Sequence, residues 1–198
     1  MKLLKLFSAV LIAVGLFGVS AFAGEAKDKV KVGFVYVGPT GDHGWTYRHD
    51  IGRQQVEEAF GDKVETMFVE SVGYGPDAER VFRQMALQGA DIIFGTSFGY
   101  MDAMRQVAEE FPNVKFEHAT GYKNNDTNFS NYGLRLYQAR HVQGIIAGMM
   151  TKTNKICYVA AYPIPEVIRE INTFYLGAKS TNPDVDIDVV WVMTWYDP

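Results

Sequence analysis

A single cysteine and four histidines in 198 residues leave little material for thiol or metal chemistry. One thiol makes no intrachain disulfide and no cysteine-based metal cluster. Cys157 stands in the apolar run Ile156-Cys157-Tyr158-Val159, which reads as core, with no basic neighbour to lower its pKa. The histidines, His43, His49, His118 and His141, lack a tight ligand spacing; His43 and His49 are six apart, so a zinc site would need partners from elsewhere. The sequence calls for no metal and no cofactor. An excess of positive charge is also missing: 19 Lys+Arg stand against 23 Asp+Glu, a formal charge of −4, which gives no footprint for nucleic acid. What is present, 47% hydrophobic, 14% aromatic and 21% charged residues, is ordinary for a folded chain and excludes disorder, collagen and coiled coil.

The first segment reads as an address. Lys2 and Lys5 precede an apolar run from Leu6 to Val19, and Ala21-Phe22-Ala23 forms a small-x-small cleavage site before Gly24. That is an export signal over residues 1–23, and its apolar run is short for a membrane anchor. With no cysteine near the cleavage site there is nothing to carry a lipid, so a freely diffusing periplasmic protein is expected.

Beyond it the chain alternates strand and helix. Val30 to Val37 is a nearly continuous apolar run, as expected of a strand buried on both faces, and Val64 to Val72, Asp91 to Gly95 and Val114 to Ala119 repeat the type. Helices between them would turn Tyr47, Ile51, Val56 and Phe60, then Val81, Phe82 and Met85, then Met101, Met104 and Val107 inward. Lys123 to Asn128 is a polar loop, Tyr132 to Leu136 a crossing strand, and 137–150 a helix burying Val142, Ile145, Ile146 and Met149. The pattern then restarts with a strand from Lys155, a helix opened by Pro163 or Pro165 that turns Ile164, Val167, Ile168, Ile171 and Phe174 or Tyr175 inward, and a strand from Ile187 to Met193. Strand starts are 34 apart in the first copy (Val30, Val64) and 32 apart in the second (Lys155, Ile187). The expectation is an α/β protein with two parallel-sheet lobes, one over residues 24–128 and a crossover with a second, incomplete lobe over residues 129–198. Trp195-Tyr196-Asp197-Pro198 resembles the Gly73-Tyr74-Gly75-Pro76 lead into a helix, so a longer protein is expected.

Ligands of open parallel sheets bind beyond the carboxyl ends of the strands. That rule selects Asp42, His43, Trp45 and Tyr47 after the first strand, Tyr74 after the second, and Ser97, Phe98, Gly99 and Tyr100 after the third. His118, Thr120 and Tyr122 lie around the end of the fourth, and the second lobe offers Tyr162 and Trp195. Flat apolar faces with a hydrogen-bonding edge suit a planar polar ligand such as a nucleobase, with Asp42 or His43 supplying edge hydrogen bonds.

Gly38-Pro39-Thr40-Gly41-Asp42-His43-Gly44-Trp45-Thr46-Tyr47-Arg48-His49-Asp50, followed by Gly52 and Arg53, closely resembles the segment after the first strand in the basic membrane protein family of ABC-transporter substrate-binding proteins. Phe94 to Tyr100 and Thr151 to Ile156 look like that family too. The resemblance implies a type I periplasmic-binding-protein fold and capture of a purine nucleoside or purine base between two lobes, for delivery to a permease in the inner membrane. It also implies stacking of the base between aromatics, with Trp45 where the family often has a phenylalanine. The Asp-His-Gly-Trp sequence departs from the Ser-Phe-Asn-Gln type of the nucleoside binders, which leaves the groups that would hold a ribose unassigned.

Enzyme readings carry less. Gly73-Tyr74-Gly75-Pro76-Asp77-Ala78 fits a dinucleotide fingerprint in form, but it follows the second strand and Pro76 removes one amide from the phosphate cradle. A receptor without catalysis is the expectation, and a periplasmic nucleoside- or base-processing enzyme is the alternative.

Overall fold

The computed structural model describes residues 28–197. The export signal expected at residues 1–23 lies outside them. Five parallel strands form the first sheet: β1 (Val30–Val35), β2 (Val64–Val69), β3 (Ile92–Gly95), β4 (Lys115–Ala119) and β5 (Phe129–Tyr132), in the order β2-β1-β3-β4-β5. Val32 pairs with Ile92, and Phe116 with Phe129. The crossing strand expected at 132–136 is instead this fifth strand at 129–132. The first lobe therefore runs past residue 128, because Phe129 fills a fully buried site beside Phe116.

Helices α1 (Trp45–Phe60), α2 (Pro76–Leu87) and α3 (Met101–Glu110) cover the two faces. Pro76 opens α2 at a position where its missing amide costs nothing. Successive side chains of a strand point to opposite faces. Val35 accordingly joins Phe82, Met85, Ile93, Met104 and Phe116 beneath α2 and α3. Val32, Phe34 and Tyr36 point to the other face, where Phe34 stacks on Phe94 with ring centroids 5.1 Å apart.

α1 meets that second face differently from the expectation. Tyr47 and Phe60 are exposed, and Thr46 and Asp50 are the residues it buries. The reason is the hydroxyl of Tyr36, which needs a buried partner. Tyr36 donates to Asp50 Oδ1 (3.3 Å), Arg53 Nε donates to the same oxygen (2.7 Å), and Gln54 donates to Oδ2 (2.7 Å). Arg53 reaches on to Glu57 (2.9 Å) and lies over the Phe68 ring.

The chain then enters α4 (Leu136–Met150), β6 (Lys155–Ala160), α5 (Pro165–Thr181) and β7 (Asp186–Trp191), with β6 and β7 paired in parallel. α4 and α5 touch backbone to backbone: a Cβ on Gly144 would stand 2.0 Å from the carbonyl oxygen of Phe174, and one on Gly177 2.1 Å from that of His141. α4 therefore buries Gly144 and Gly148, and Val142, Ile146 and Met149, expected inside, face outward. On α5 the buried residues are Glu170, Gly177 and Ala178; of those expected inside, Ile168 is exposed, and of the pair Phe174 or Tyr175 it is Phe174 that turns inward. β6 turns Ile156, Tyr158 and Ala160 toward α5, where Tyr158 meets Phe174 edge-on. Its other face is open, so Cys157 is exposed and not core. No helix among the described residues is long and apolar enough to cross a membrane.

Candidate functional site

In a sheet of order 2-1-3-4-5 the strand order reverses between β1 and β3, and a crevice opens at their carboxyl ends. A cavity of about 230 Å³ lies there, walled by the loops after β1, β3 and β4 on one side and by α4, β6, α5 and the segment after β7 on the other.

Asp42 shapes the first wall. Its Oδ1 accepts the amides of Gly44 (2.8 Å) and Tyr47 (2.9 Å) and its Oδ2 that of Thr46 (3.0 Å), so the carboxylate sits against the first turn of α1. Partial burial works against its charge, but the amides of Gly44, Tyr47 and Thr46 outweigh it and hold Asp42 below the usual carboxylate range. Trp45, set in that first turn, donates its indole N–H to the Thr96 carbonyl at 2.5 Å. Its polar atom is thus committed within the lobe and the ring remains as cleft wall. Ser97 and Phe98 line the cavity from the loop after β3, and Thr120 from the end of β4, where its φ of 64° is a rare conformation for a β-branched residue.

Other expected residues fall elsewhere. His43 (φ 52°) and Tyr47 pair with each other, rings 5.6 Å apart, on the exposed side of the loop. Tyr100 is fully buried, donates to the Val72 carbonyl at 2.8 Å and meets Phe82 edge-on, so it belongs to the core. Gly99 admits the Tyr74 ring, which a Cβ there would meet at 2.6 Å. His118, also buried, gives Nε2–H to the Ser97 carbonyl (2.8 Å) and braces the β3 loop; burial holds its pKa below the usual histidine value. Gly73 to Ala78 follow β2, an edge strand, and none of them is among the residues lining the cavity.

From the second lobe Trp195 lines the cavity, with the Tyr162 ring 5.1 Å behind it. Its indole N–H donates to Tyr74 Oη (2.8 Å), and Tyr74 Oη in turn lies 3.0 Å from Ser97 Oγ, a polar chain from lobe to lobe. Arg140, Tyr158, Glu166 and Glu170 also line the cavity and were not among the expected residues. Arg140 Nε donates to buried Glu170 at 2.9 Å. Glu166 faces Thr120 across the lobe junction; burial, then the charge of Glu170, push its carboxyl above the usual range. Glu166 opens α5 just after β6, so the carboxyl-end rule reaches it. Arg140 lies inside α4, where no such rule applies.

A crevice at the switch point of one parallel sheet, faced by a second α/β lobe, is the two-lobed type I periplasmic-binding-protein fold. The sequence model for PnrA-like ABC transporter substrate-binding proteins matches residues 29–198, and the chain belongs to that family. It is 54% identical over 176 residues to a purine-binding protein of Brucella abortus, covering 89% of this chain and 50% of that protein. A Haloferax volcanii protein assigned by name to glucose binding in an ABC transporter is 47% identical over 171 residues, 86% of this chain and 43% of its own length. The chain thus spans about half the length of these curated relatives. Among solved structures, an ABC transporter solute-binding protein of Aeropyrum pernix shares the fold with a TM-score of 0.70 at 22% identity, over 82% of this chain and 47% of that one.

Proposed function

We propose that the whole protein is the periplasmic receptor of an ABC importer, exported by residues 1–23, which captures a purine nucleoside or purine base between its lobes. It hands the ligand unchanged to the permease. The observation that carries this reading is the pair of indoles, Trp45 from the first lobe and Trp195 from the second, lining one interlobe cavity. Both have their N–H groups engaged by protein, which leaves their rings as apolar surface for a planar ligand. The name of the Brucella relative supports a purine, and family membership supports binding without turnover.

Calorimetric titration of the full-length protein with adenine, guanine, hypoxanthine, their nucleosides and glucose tests it, with chromatography of the ligand after incubation. Saturable binding of a purine recovered unaltered is expected. Binding of glucose alone, or conversion of the purine to product, overturns the reading.

A further inference from the structure

Three carboxylates line the cleft, and they are not equivalent. Asp42 is held by three backbone amides, and Glu170 is buried and paired with Arg140, whose Nη1 also reaches Gln143 at 2.9 Å. For Glu166, among the described residues no Lys or Arg pairs with it at salt-bridge distance. The nearby guanidinium of Arg169 lies over the Tyr137 ring, 5.1 Å from its centroid. Glu166 and Thr120 also form part of the wall of a second cavity of about 270 Å³, which reaches back to Asn131 and Gly133 at the lobe junction. Glu166 is therefore the cleft carboxylate with neither an amide cradle nor a cationic partner among the described residues, placed opposite the loops of the first lobe.

The charge of the lining has a sign as well. Asp42, Glu166 and Glu170 face one cation, Arg140, so the cavity repels anions. A phosphorylated nucleotide does not suit it, and a neutral donor does.

We propose that Glu166 is the specificity-determining residue of the second lobe: it accepts hydrogen bonds from the amino group of a neutral purine, so that amino-bearing purines are taken in preference to deaminated or phosphorylated ones. This rests on the purine reading above. A partly buried carboxylate that loses its donor is left underpaired, which is why sites built to bind an N–H reject analogues lacking it. Thr120, held at positive φ, lines the cavity opposite Glu166.

The test is calorimetry of the full-length protein with two ligand pairs that differ by one amino group, adenine against purine and guanine against hypoxanthine, in wild type, Glu166→Ala and Glu166→Gln. Wild type is expected to prefer the amino member of each pair by at least about tenfold. Glu166→Ala brings the members within about threefold of each other, and Glu166→Gln, which keeps one acceptor oxygen, falls between. Thermal melting confirms that the variants fold, and the isosteric Gln variant stands in if the Ala variant does not. An amino preference that survives both substitutions, or a wild type that prefers the deaminated member, overturns the assignment to Glu166. A wild type that binds none of the four overturns the purine reading itself.

Discussion

Phe82, Ile93 and Phe116 in the first lobe are 0% exposed, whereas Val159 in the second is 65% and Met149 71% exposed. The residues are of one kind and the strands around them alternate in one way. What differs is cover: the first sheet has five strands with helices on both faces, and the second has two strands with α5 against one face. Burial is thus decided by the layer that lies over a side chain, not by its own hydrophobicity. The two lobes also differ at the cleft. The first presents groups already engaged within it, Asp42 on the amides of α1 and Trp45 on Thr96. The second brings the charged Arg140, Glu166 and Glu170, of which Arg140 and Glu170 pair with each other.

The contrast in cover is broken most sharply by truncation. Phe82→Ala should cost about 3–5 kcal/mol of unfolding free energy, while Val159→Ala should stay within about 0.5 kcal/mol. Urea denaturation followed by circular dichroism measures both, and equal losses would contradict the account of cover. Gly144→Val drives a side chain into the Phe174 carbonyl and should cost about 1–3 kcal/mol through overpacking. Hydrogen exchange should then show loss of protection in α4 and α5 with β1 to β5 unchanged.

On the cleft side, Trp45→Ala removes the first lobe's indole wall and should weaken purine binding by about 1–3 kcal/mol, read by calorimetry. Unchanged affinity would remove Trp45 from the site. A smaller effect tests the polar contact beneath α1. Burial disfavours the Asp50 charge, but hydrogen bonds from Arg53 and Gln54 prevail and hold its carboxyl below the usual range. A lowered folded pKa means that its contribution is fully present above about pH 4 and is lost as pH falls through the folded value. Asp50→Asn should therefore cost about 1–2 kcal/mol at pH 6. The gap between wild type and variant should narrow at pH 3, which denaturation at the two pH values measures.

The first lobe was largely legible because β1 and β3 are apolar, mostly buried runs ended by loops, and Pro76 marks a helix start. β5 was misplaced by three residues at its start, since Phe129 to Tyr132 carries only two apolar side chains beyond a polar loop. The faces of α1 and α4 were misread because periodicity finds an apolar stripe, whereas Tyr36 needs a polar partner and glycines draw α4 onto α5. At the cleft, the carboxyl-end rule led to Asp42, Trp45, Ser97, Phe98 and Trp195, all of which line the cavity, and equally to Tyr100, which the core absorbs. Aromatic residues drew attention to Tyr162 and away from Glu166, although both follow β6. Arg140 and Glu170 come from helix interiors, and only the packing of α4 on α5 brings them together.

The central claim, that the interlobe cavity is a purine site, is tested most directly by identifying the ligand carried by the full-length protein. Protein purified from its native host, denatured and analysed by mass spectrometry, should release an unmodified purine base or nucleoside. Release of a sugar or another non-purine solute would contradict it.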